Sequence, residues 1–176
     1  MGRRRRKRFC FITDRATPVP PAAELWNEAR AREIAETFAN TKGGLLPALL
    51  AIQSAFGHVP GEAVVLLAEV FNVSRAEVHG AVTFYRDFRE RPAGRHVLKL
   101  CRAEACQAAG SVSVAEAAKR RLKLGWDETD SEGNWTLEPV FCLGLCACGP
   151  AGMLDGTPLA RLDGARIEKL IDGAAE

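Results

Sequence analysis

Apolar positions along residues 24–90 recur at helical spacing, and after residue 92 the rhythm shortens. Leu45, Leu49, Ile52 and Phe56 fall at i, i+4, i+7 and i+11, one face of an amphipathic helix that Gly57 is placed to close. Val64, Leu67, Ala68 and Phe71 repeat the pattern after Pro60, with Asn72 as its stop. Ser74 and Glu77 have the spacing of a capping box and predict a helix carrying Val78, Ala81, Val82 and Tyr85. A charge-rich stretch from Glu24 to about Asn40, with Leu25, Ala29, Ile34 and Phe38 interspersed, predicts a further helix ahead of the break at Gly43-Gly44. Four short helices over 24–92 make a small bundle. Its segment 45–85 looks too short to build a self-sufficient core, which leaves apolar faces for a partner to cover.

Residues 93–176 read differently. "HVLKLC" (96–101) and "TLEPVFC" (136–142) are strand-length apolar runs. Ser113 and Glu116 form a second capping box, predicting a helix to about Leu124. Asp155-Gly156 sits between two short apolar runs as a hairpin turn, and "ARIEKLID" is a closing helix. The order β-α-β-β-α predicts a small sheet flanked by helices, an α+β arrangement of the thioredoxin type.

Charge changes the picture at one end only. Arg3 to Arg6, Lys7 and Arg8 contribute six positive charges to a net of +2, leaving the remainder at about −4. A nucleic-acid module would carry its basic surface within the fold, whereas here it precedes a Pro-rich stretch, "TPVPPA". Residues 1–23 are therefore expected to be a disordered, solvated basic arm. "FCFI" is too short for the apolar core of an export signal, and no run of 18 apolar residues occurs, so a cytoplasmic protein without a membrane span is expected.

The chemistry lies in the cysteines. Cys101 and Cys106 stand five apart, directly after one strand, and Cys142 and Cys146 stand four apart at the end of the other. Both pairs fall on loops at strand ends, where two connections of one sheet can converge, and Gly144, Gly149 and Gly152 permit close backbone approach around the second. Four readings compete. Buried reduced thiols are common, but two close pairs placed alike are not. Disulfides are rare in the cytoplasm. Structural zinc favours shorter spacers, and a 2Fe-2S cluster, whose two irons each take two cysteines, suits two separated pairs better than a single tetrahedral ion.

The pattern C-x4-C, thirty-five residues, C-x3-C, followed by "ACGPAGMLDG", resembles the thioredoxin-like 2Fe-2S ferredoxin subunits of respiratory complex I and of soluble NAD-linked formate dehydrogenases and hydrogenases. The resemblance spans about residues 30–172 and includes "TFY" at 83–85; "CRAEACQ" (101–107) is most similar to the gamma subunit of the molybdenum-containing, NAD-dependent formate dehydrogenases. It implies that Cys101, Cys106, Cys142 and Cys146 ligate the cluster, and that Cys10 and Cys148 do not. It implies a non-catalytic electron-transfer subunit, with FMN and NAD on a flavoprotein partner and with molybdenum cofactor and further iron–sulfur clusters on larger subunits. The equivalent subunit of complex I or of a hydrogenase is the alternative within the class. A zinc-stabilised nucleic-acid or protein-binding module is the alternative outside it.

Other residues add little. Arg102, inside the first loop, could offset the negative charge of a cluster held by four thiolates, about −2 oxidised and −3 reduced. His58, His79 and His96 share no spacing with the cysteines. No glycine-rich phosphate loop follows a strand, so no nicotinamide or flavin site is expected on this chain. Lys99 and Trp126 read as packing residues.

Overall fold

The computed structural model describes residues 24–174, so the expected disordered arm and Cys10 lie outside the described residues. The chain divides into two compact units, one ending at Ala93 and the other starting at Gly94.

The first unit is four helices. α1 (Glu28–Glu36) starts where Asn27 Oδ1 accepts the Arg30 N–H at 3.0 Å. It stops four residues short of Asn40, the chain turning over 37–44 to reach α2 (Leu45–Phe56). Gly57 closes α2 at φ +76°, and Asn72 closes α3 (Gly61–Phe71) at φ +51°, a left-handed position that asparagine tolerates better than most residues. α4 (Arg75–Phe84) begins with the reciprocal box: Ser74 Oγ accepts the Glu77 N–H at 3.2 Å, and Glu77 Oε2 accepts the Ser74 N–H at 2.8 Å. Ala31, Ile34 and Ala35 of α1 join Leu49, Ile52, Phe56, Leu67 and Val78 in one fully buried core. Residues 45–85 thus share their core with α1 instead of building it alone. Leu50, Phe84 and Tyr85 remain exposed.

The second unit is a five-stranded mixed sheet in the order β2-β3-β1-β4-β5. β1 (His96–Cys101) runs parallel to β3 (Trp135–Val140) and antiparallel to β4 (Gly152–Leu154). Two helices, α5 (Glu104–Ala108) and α6 (Ser111–Leu122), make the crossover that a parallel pair requires. Two-residue β2 (Glu128–Thr129), which the apolar pattern does not announce, pairs with β3; β5 (Thr157–Leu159) completes the hairpin around Asp155-Gly156. α6 and α7 (Gly164–Ala174) cover one sheet face, burying Leu98, Leu100, Trp135 and Leu137 against Val114, Ala118, Ile167 and Ile171.

The predicted box at Ser113 does not cap α6. The helix starts two residues earlier, after Gly110 at φ +101°, and Ser113 Oγ donates to the Gly110 carbonyl from inside the first turn. The short α5 ends close by, and the reversal between the two helices demands a left-handed residue at 110. No described helix is long and apolar enough to cross a membrane.

Candidate metal centre

The parallel pairing of β1 and β3 places their C-terminal ends side by side, with Cys101 opposite Val140. The chain leaving β1 enters α5, which carries Cys106. The chain leaving β3 passes the exposed Phe141 to Cys142 and reaches Cys146 at the start of a single 3-10 turn (Cys146–Cys148). Cys142 thus lies two residues beyond its strand instead of ending it. Both loops therefore open at one edge of the sheet, as α/β connections do. The free cysteines among the described residues are Cys101, Cys106, Cys142 and Cys146. Cys148 is not among them; its carbonyl accepts the Arg161 N–H at 2.8 Å.

The two pairs differ in environment. Cys101 and Cys106 are each about 1% exposed and pack with Ala151, flanked by Ala103, Val140, Leu143 and Leu145. Cys142 and Cys146 are exposed, their sulfurs 3.7 Å apart. The site is thus buried on one side and open on the other.

Backbone N–H groups are aimed at the sulfurs. The Gly144 N–H points at Cys142 Sγ at 3.4 Å. Burial pushes the Cys101 thiol up, but the N–H of Ala103, the Cys106 thiol, and the N–H groups of Cys142 and Leu143 outweigh it and hold Cys101 below the ordinary range. Burial and the hydrogen bond with Cys101 push Cys106 up, partly countered by the Ala151 N–H. The neighbouring Cys142 thiol raises Cys146. The two thiols of the buried pair are thus held in unequal environments, and a bound metal would take up both as thiolates.

Local backbone serves this arrangement. Cys142 takes φ +94°, outside the regions an L side chain prefers, and Gly144 takes φ +73°. A cysteine held in such a conformation costs on the order of 1–3 kcal/mol and marks a position over-determined by its surroundings. Gly149 backs onto the buried pair: a Cβ there would lie 3.5 Å from Cys106 Sγ. Gly152 lets β4 approach β1 so closely that a Cβ would stand 2.8 Å from the Lys99 carbonyl.

Two pairs of free thiols on two loops fit the two-plus-two donor set of an iron–sulfur cluster. Two sulfurs about 2.3 Å from one tetrahedral metal lie about 3.8 Å apart, close to the Cys142–Cys146 separation. The thiols come as two pairs, Cys101–Cys106 and Cys142–Cys146, each joined internally by hydrogen bonding, as two separately ligated metals require.

The remaining candidates lie elsewhere. His58 Nδ1 contacts the Phe56 carbonyl, His79 faces Glu90 at 3.7 Å, and His96 Nδ1 meets Asp155 Oδ2 at 2.7 Å. Lys99 pairs with Glu138 at 3.3 Å across β1 and β3. The amide donors at Ala103, Leu143, Gly144 and Ala151 carry no side-chain chemistry, so sequence gives no sign of them beyond the glycine at 144.

Comparison with known proteins agrees with this geometry. Residues 31–175 match the family described as thioredoxin-like 2Fe-2S ferredoxin. An NADH-quinone oxidoreductase subunit of Pseudomonas aeruginosa is 33% identical over 118 residues, covering 67% of this chain and 71% of that protein. The like-named protein of Escherichia coli is 30% identical over 135 residues, 77% of this chain and 81% of that one. NADP-reducing hydrogenase subunit HndA of Solidesulfovibrio fructosivorans is 28% identical, with 77% and 80% covered. An NAD+-reducing NiFe hydrogenase in the air-oxidised state has a similar fold, with a TM-score of 0.65 at 24% identity over 75% of this chain and only 23% of the hydrogenase chain. Four free thiols in two pairs at one sheet edge, and a family match over most of its length, place this chain in the thioredoxin-like 2Fe-2S ferredoxin family.

Proposed function

We propose that this chain is an electron-transfer subunit in which Cys101, Cys106, Cys142 and Cys146 hold one 2Fe-2S cluster. The observation that carries the reading is the pairing of those four free thiols across two loops at one sheet edge. When bound, the cluster supplies a one-electron carrier; the chain supplies its charge environment and its access. The buried pair shuts out water on one side, while the exposed pair Cys142–Cys146 offers the short path for exchange with a partner. The amides of Ala103, Leu143, Gly144 and Ala151 are placed to favour thiolates and to set the potential.

The partner on this reading is a flavoprotein subunit holding FMN and NAD, since similar chains are subunits of NADH- and NADP-linked oxidoreductases. The loop "CRAEACQ" favours an NAD-dependent formate dehydrogenase, in which a larger subunit carries a molybdenum cofactor and further clusters. The named relatives favour a second reading, the equivalent subunit of a complex I or hydrogenase assembly. Affinity purification of the tagged full chain from its native host decides between them. A co-purifying molybdenum subunit with a flavin subunit is expected. Quinone-reducing membrane subunits would move the assignment to complex I, and a nickel–iron subunit to hydrogenase. Recovery of the chain as a partnerless monomer would refute the subunit assignment itself.

A further inference from the structure

Two cations lie over one indole beside the first cysteine loop. Arg102 Cζ is 5.1 Å from the centroid of the Trp126 ring, and Lys119 Nζ is 4.8 Å from the same centroid. Both distances are inside the roughly 6 Å at which a ring quadrupole holds a cation. The three residues come from separate stretches: Arg102 follows Cys101 at the end of β1, Lys119 is on α6, and Trp126 is on the connection to β2.

The arrangement is built from both sides. Trp126 is half-buried and packs against the sheet core, so its ring is not free to follow the cations. The Arg102 backbone is pinned, its N–H donating to the Val140 carbonyl at 2.8 Å and its carbonyl accepting from Gln107 Nε2 at 2.6 Å. Its side chain, exposed and able to extend into water, instead lies over the ring. Lys119 is further tied to Glu116 at 3.6 Å. Like charges repel, and two long side chains lose rotamer freedom when they share one ring. The anchored aromatic gathers both side chains at one place, and the chain sets Arg102 directly after Cys101.

We propose that Trp126 is a positioning residue that holds Arg102 and Lys119 as a fixed positive pair beside the cluster loop, favouring the reduced form of the cluster over the oxidised one. The physical basis is charge: reduction adds one negative charge to an already anionic centre, and a nearby immobile cation stabilises the more negative state. A mobile arginine, hydrated and averaged over many positions, would do so less. The inference rests on the proposed cluster, whose presence is measured separately.

The test uses the full chain with its cluster reconstituted, and iron and sulfide are counted before any potential is read. The midpoint potential is then titrated by the spin resonance of the reduced form at low ionic strength. R102Q is expected to make reduction about tenfold less favourable, a shift of about 59 mV for one electron. W126L should shift it in the same direction by less, and R102K should stay near the parent. In the R102Q/K119Q background, W126L should add nothing, since the ring acts through the cations it holds. Unchanged potentials in fully loaded R102Q and W126L would overturn the proposal. So would a W126L shift that persists without either cation, which would mean that the ring acts by excluding water. If W126L fails to load, R102Q and K119Q decide the matter. A parent chain without iron and sulfide would refute the cluster reading and this inference with it.

Discussion

His96 and Asp155 clamp the hairpin β4–β5 to the start of β1. Asp155 Oδ2 meets His96 Nδ1 at 2.7 Å, and Oδ1 of the same carboxylate accepts the Val97 N–H at 2.7 Å. The pair is largely buried, and the imidazole also packs on Trp135 with ring centroids 5.0 Å apart. Asp155 itself sits at φ +48°, which aspartate tolerates better than alanine.

Removing that carboxylate therefore costs more than one hydrogen bond. D155A leaves a partly buried backbone donor without its acceptor and puts alanine in a left-handed position, a loss on the order of 2–4 kcal/mol. D155N keeps one acceptor and the turn, and should lose less. Urea unfolding of the full chain, read by the tryptophans of the second unit, checks the order: D155A well below D155N, and D155N below the parent.

A glycine substitution tests how tightly β4 must lie on β1. A Cβ at position 152 would meet the Lys99 carbonyl at 2.8 Å and side-chain carbons of Leu100 and Leu162 at 3.0 Å. Backbone cannot yield as a side chain tip can, so G152A should destabilise the second unit by roughly 1–3 kcal/mol. Because Ala151 donates toward Cys106, the same variant should also retain iron less well. Normal stability together with normal iron retention would contradict the close-approach argument.

Acid should loosen α4 through its cap. The Ser74 backbone N–H and hydroxyl hold the Glu77 carboxyl below the ordinary glutamate range. A depressed carboxyl stabilises the folded state fully above the ordinary titration range, and that contribution fades as pH falls through the lowered value. E77Q should remove this part of the acid dependence of helical content while leaving helix content at neutral pH nearly intact. A full acid slope in E77Q would assign the effect to other carboxylates.

The bundle and the sheet were legible because their signals are local and periodic. Leu45 to Phe56 with Gly57, and Ser74 with Glu77, announce helices through side chains that touch within one turn. Ser113 misled because the same box spacing recurs inside a helix, and only the reversal at Gly110 shows where that helix begins. β2 escaped notice because two polar residues have no periodicity; its place is set by pairing with β3. The four cysteines were legible as a chemical set. Their division into a buried pair and an exposed pair was not, because burial depends on Ala151 and Leu143, distant neighbours brought in by the sheet. Nor could spacing show Arg102 and Lys119 meeting on Trp126.

The isolated chain should have no turnover of its own. On the proposed role it passes electrons between partners, so it should oxidise neither formate nor NADH when purified alone; formate-dependent NAD reduction by the single chain would contradict the subunit role.

Iron and acid-labile sulfide per chain, measured across single serine variants of all six cysteines, test the central claim most directly. A thiolate supplies charge and a metal bond that serine reproduces poorly, and metal retention is coupled to local folding. The parent, C10S and C148S should each hold about two iron and two sulfide, while C101S, C106S, C142S and C146S lose them or hold a labile, spectrally altered centre. Stoichiometric zinc without sulfide would contradict the cluster, and loss at Cys148 with retention at Cys146 would contradict the ligand set.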